Sequence, residues 1–162
     1  GPAAHACADW CRLMIRIIIS ELLLLAVAAA AWRWGGRPER IIATMMVAAA
    51  ATNLALGVPA ARYRLVDHAQ LAVDGLLFLG TLAVALRANR FWPLWLVAIE
   101  LVALGAHGVR AYDPQIVPIL YARLTAQVVY PTLVVLALGI WHFQRRVHRE
   151  GRAPADWSPL RL

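Results

Sequence analysis

Apolar positions along this chain do not alternate with polar ones. They run in five blocks, separated by short stretches rich in Gly, Pro and Arg. Each block is about the 20 residues that a helix needs to cross a bilayer. The blocks predict helices over Leu13 to Trp32, Ile41 to Val58, Leu65 to Leu86, Phe91 to Val109 and Ile119 to Phe143. Gly35-Gly36-Arg37-Pro38 breaks the first from the second. Pro59 stops the second, and Asp113-Pro114 with Pro118 separates the fourth from the fifth. Pro93 is tolerable in a first turn, and Pro131 predicts a kink. The expected fold is all-α, a membrane bundle of five helices over 13–143. Residues 1–12 form an external N-terminal segment and 144–162 a basic tail, disordered or lying on the surface.

Composition sharpens this picture. Of 162 residues, 62% are hydrophobic, above the half expected of soluble domains, and only 15% are charged. All 16 basic residues are arginine, giving a net charge of +7. Lysine-free, Ala- and Leu-rich composition suggests a GC-rich bacterial genome and so a bacterial inner membrane. A pI near 10.7 would suggest nucleic acid in a soluble protein. Here the arginines flank apolar blocks, so the membrane explains them and nucleic acid is excluded.

Gly1-Pro2 has the form of a protease-cleavage remnant and is set aside. The first block is too long for a cleavable signal peptide and ends in Trp32-Arg33-Trp34. Cys7 and Cys11 are either an external disulfide, which helical spacing makes awkward, or two free thiols on one helix face. With His5 and Asp9 they match no zinc signature.

Five spans put the termini on opposite sides. Ten arginines (33, 37, 40, 87, 90, 145, 146, 149, 152, 161) share the side of the tail, against six on the other. The bias predicts a cytoplasmic C-terminus and an external N-terminus. Trp32, Trp34, Trp92, Trp95 and Trp141 mark the inner interface. Glu21 and Arg37 are spaced like Asp74 and Arg90, which fits either a parallel repeat or coincidence.

Charges within the spans carry the candidate chemistry, because a carboxylate in hydrocarbon costs several kcal/mol unless paired, protonated or wet. At about 1.5 Å per residue, Glu21, Asp74 and Glu100 each fall roughly 12–13 Å below the outer ends of their helices, with Arg123 at a similar level. One layer of the outer half is therefore expected to hold all four, facing the bundle interior. His107 shares a helix face with Glu100, and Asp67 with Asp74. Gln127 and Tyr130 continue the stripe of Arg123, and Asn53 lies at similar depth. Three carboxylates against one arginine call for a proton, a metal ion or a cationic solute. His107 is the natural relay to water.

Asp67, His68 and His107 form a shallower layer whose donors suit Zn, Mn or Fe. A haem between His68 and His107 has only their placement at outer ends of adjacent helices in its favour. Structural readings stand beside these. Asp67-His68 also reads as a helix N-cap, His107 as an interfacial histidine, Arg123 as a snorkelling side chain, and Glu21 as a protonated acid bonded to a neighbouring helix. No HExxH, GxSxG, P-loop or GxGxxG occurs, and ExxH pairs of di-iron bundles are missing.

Gly35-Gly36-Arg37-Pro38-Glu39-Arg40, with Asn89-Arg90-Phe91-Trp92-Pro93-Leu94-Trp95, resembles uncharacterised small multi-pass bacterial membrane proteins, which implies the fold and no activity. Three functions fit: a site binding or moving a proton, cation or small solute; an accessory subunit packed on a larger complex or a second copy; and a metal-dependent membrane enzyme.

Overall fold

The computed structural model describes residues 2–56, 68–112, 118–151 and 155–157, with side chains at 11, 14–56, 68–108, 128–151 and 155–157. Five helices fill it: α1 (Pro2–Trp34), α2 (Arg37–Leu56), α3 (His68–Arg87), α4 (Pro93–Tyr112) and α5 (Pro118–Glu150). Among the described residues there is no strand, only one isolated antiparallel bridge between Ala88 and Trp157.

Local chemistry sets the helix ends. Pro93 and Pro118 open their helices, where a missing N–H costs nothing. Gly35 N donates to Ala31 O at 2.8 Å and caps α1. A Cβ on Gly35 would meet that carbonyl at 2.5 Å, so the tight turn into α2 requires glycine. Gly151, at φ 66°, ends α5 in the left-handed cap conformation, its N–H bonded to Val147 O at 3.0 Å. α5 thus runs beyond Phe143 to Glu150 and carries Pro131 inside it. Arg145, Arg146 and Arg149, assigned above to the tail, lie on its last turns.

The helices close into a ring. Each packs on its neighbour in sequence, α5 returns to α1, and α2 also touches α5. α1 makes no contact with α3 or α4 among the described residues. The apolar core lies toward the end that holds the Gly35-Gly36 turn, the 88–92 turn and the C-terminus of α5. Ala31, Ile42, Ala43, Leu96 and Leu136 are fully buried there, with Leu24, Met46, Val84, Leu133 and Ile140 around them.

The outer faces are apolar too. Leu22, Leu25, Leu76, Leu79, Leu86, Leu101, Val102 and Leu138 are exposed. So large an apolar surface is what a soluble monomer avoids and what lipid solvates. Three helices are long and apolar enough to cross a membrane, over Met14–Trp34, Arg37–Leu56 and His68–Arg87, and Pro93–Gly108 is a shorter apolar stretch. Trp32, Trp34, Trp95 and Trp141 project outward at the arginine-rich end. Arg40 lies 6.0 Å from the Trp32 ring and Arg145 5.3 Å from that of Trp141. Trp92 instead turns inward.

Candidate functional site: the seam between α3 and α4

α3 and α4 run antiparallel, and their facing side chains meet twice. His107 Nε2 lies 3.0 Å from Asp74 Oδ2. One heptad further toward the arginine-rich end on each helix, Thr81 Oγ1 lies 3.2 Å from Glu100 Oε1. Seven-residue spacing repeats a contact because two helical turns return a side chain to the same face.

The Asp74–His107 pair is the better solvated. Asp74 is half-buried and also accepts from Gln70 Nε2 at 3.2 and 3.3 Å, while His107 is 2% exposed. Gln70 follows Asp74 by one turn in reverse, the spacing at which helical side chains touch.

The Thr81–Glu100 pair is dry. Thr81 and Glu100 are both buried, and Glu100 Oε2 has no hydrogen-bond partner. Thr81 Oγ1 also lies 2.8 Å from Leu77 O, to which its hydroxyl donates. One hydroxyl proton cannot serve both Leu77 O and an ionised Glu100 at once. Both contacts become hydrogen bonds when Glu100 carries a proton and donates it to Thr81 Oγ1. Beyond this pair toward the arginine-rich end lies the apolar core around Leu96 and Ile42, so the polar seam ends at Glu100.

The seam is thus a two-step arrangement: Asp74 and Glu100, expected in one layer, stand at different levels. Asp74 and Glu100 are two turns apart, about 10 Å along the axis. Depth counted from each span's end misjudged this, because the register of an antiparallel pair is decided by side-chain interlocking and not by where an apolar run stops.

The remaining candidates distribute as follows. Glu21 is half-buried on α1 and makes no hydrogen bond or ion pair among the described residues. Asn53 on α2 has a buried Oδ1 without a hydrogen-bond partner. His68 is exposed at the first residue of α3. Asp67 lies outside the described residues, as do the side chains of Arg123 and Gln127. Among the described residues no three His, Cys, Asp or Glu side chains gather as a metal site. Cys11 is a free, exposed thiol.

A second polar cluster, which sequence reasoning missed, occupies the arginine-rich end. Arg90 Nη1 donates to Glu39 Oε1 and Nη2 to Asp156 Oδ1, both at 2.9 Å. Trp92 Nε1 donates to Glu39 Oε1 at 3.3 Å, and the Arg90 guanidinium lies 4.4 Å from the Phe143 ring centre. Glu39 is fully buried. Trp92 reaches it by packing flat on Gly139, where a Cβ would sit 2.7 Å from the indole. Gln144 Nε2 donates to Trp34 O nearby. The tail residues 155–157 return to the bundle here, and Asn89 N donates to Asp156 O at 3.1 Å. In the sequence Glu39 reads as one more charge in a turn and Asp156 as part of a polar tail. The available signal was the pair of short hairpin turns, each bearing a charge of opposite sign.

No family model matches the chain, and neither a curated protein nor a solved structure matches it.

Proposed function

We propose that the chain is a five-span membrane protein, external at its N-terminus and cytoplasmic at its C-terminus, whose α3–α4 seam binds a proton or small cation from the outer side. The observation that carries this reading is Glu100, whose Oε2 is buried without a hydrogen-bond partner two turns below the Asp74–His107 pair. A buried carboxyl group with an unused oxygen is a proton or cation acceptor waiting for its charge to be compensated. Asp74 and His107 supply the relay: the carboxylate orients the imidazole, which can take a proton at one ring nitrogen and release one from the other. Asn53 adds a further unpaired acceptor on the neighbouring α2. The apolar core around Leu96 and Ile42 closes the seam beyond Glu100, which favours carrier-type exchange over open conduction.

Two measurements test this. In proteoliposomes with a trapped pH dye, the protein should support proton or cation exchange that Glu100→Gln abolishes. A hydrophobic carbodiimide, which reacts with protonated carboxyl groups in apolar surroundings, should modify Glu100 and leave the Glu100→Gln protein unmodified at that site. Absence of both flux and labelling from folded protein would sink the proposal.

A second reading rests on Glu21. A carboxyl group in an apolar helix, half-buried and without a hydrogen bond or ion pair among the described residues, suits pairing with a second copy or a larger membrane complex. Copurification of a partner that Glu21→Leu releases would favour it.

A further inference from the structure

The Arg90 cluster divides into a permanent half and an exchangeable half. Glu39, with 0% side-chain exposure, and Arg90, with 7%, form a neutral buried pair that joins the start of α2 to the 88–92 turn. Asp156 is 24% exposed at the rim and brings a second carboxylate to the same guanidinium, so the trio carries a net negative charge. Two carboxylates competing for one cation repel each other, and burial amplifies the repulsion. Asp156 is therefore the more weakly held of the two.

Its contacts are those of a docked peptide. The carboxylate takes Arg90 Nη2, the main-chain oxygen takes Asn89 N–H, Trp157 bridges to Ala88, and the Trp157 side chain packs against the apolar core. A side-chain anchor, a main-chain strand contact and an apolar pocket together form a recognition slot for an extended segment. Gly36 leaves room for it, since a Cβ there would sit 2.5 Å from Asp156 Oδ1 and 2.9 Å from Arg90 Nη2. The slot also holds polar groups that its occupant does not satisfy: Arg90 Nε and Glu39 Oε2 are buried without partners.

We propose that this slot is a binding site for an acidic peptide of the form Asp-aromatic, that Ala155–Trp157 occupies it in cis, and that a segment of the same chemistry displaces the tail in trans. The site lies at the opposite end of the core from the α3–α4 seam and does not depend on the function proposed for it.

Amide hydrogen exchange at Asn89 reads the occupancy directly, because that N–H is bonded to Asp156 O. In the full-length protein in nanodiscs, Asn89 should be protected. In Asp156→Ala/Trp157→Ala it should exchange at least 10-fold faster, with the α3 segment around Asp74 unchanged as a check on the fold. The isosteric Asp156→Asn should lose part of the protection. Tethered segments sit at effective concentrations on the order of 1 mM. A synthetic peptide of residues 151–162, added to the double variant at about 10 mM, should therefore restore protection, whereas the same peptide with Asn in place of Asp should not. Full protection in Asp156→Asn, equal rescue by the Asn peptide, or no rescue by the Asp peptide would each overturn the proposal and leave the tail contact a fixed part of the fold.

Discussion

His107 Nε2 sits 3.0 Å from Asp74 Oδ2, joining two helices through the one imidazole–carboxylate contact among the described residues. Removing one partner takes a polar contact from the other in a poorly hydrated interior, which costs about 1–3 kcal/mol. Asp74→Asn and His107→Gln should each lower the apparent melting temperature in detergent. The double variant should lose less than the sum, with a coupling of about 0.5–3 kcal/mol. Strict additivity would show that the pair does not interact.

Glu100 behaves oppositely. The Gln amide can donate to Thr81 Oγ1 as a protonated carboxyl group does, and it never carries a charge that burial would penalise. Glu100→Gln should leave thermal stability unchanged or raise it, while removing carbodiimide reactivity. Thr81→Val should lower stability, since it takes away the bonding partner of a buried acid.

Glycines separate tight packing from open space. A Cβ at Gly36 meets Asp156, Arg90 and Glu39 within 3.1 Å, whereas one at Gly75 meets nothing within 4 Å. Gly36→Ala should destabilise by about 1–3 kcal/mol through overpacking and disruption of the ion cluster. Gly75→Ala, inside α3, should be neutral or stabilise by up to about 1 kcal/mol. Chemical denaturation of both variants, side by side, checks the contrast.

The proposed orientation rests on the arginine distribution. In a protein with Cys7 and Cys11 changed to Ser, a single cysteine replacing Glu150 should resist a membrane-impermeant maleimide in intact cells, and one replacing Tyr63 should react. Labelling at position 150 alone would invert the orientation.

The sequence by itself determined that the chain is helical and apolar enough to enter a membrane. That information is local: block length, Gly and Pro punctuation, and arginine and tryptophan at the block ends act within one helix or one turn. It also singled out Asp74, Glu100 and His107, because a charge inside an apolar block is conspicuous without knowledge of its neighbours. Only the tertiary structure decided who meets whom. The antiparallel register of α3 and α4 put His107 opposite Asp74 and Thr81 opposite Glu100, which split one expected layer into two steps. The ring order kept α1, and with it Glu21, off both helices. The return of residues 155–157 brought Asp156 to Arg90, 66 positions away in sequence. Such pairings depend on interlocking side chains from distant segments, and no periodicity within a single helix records them.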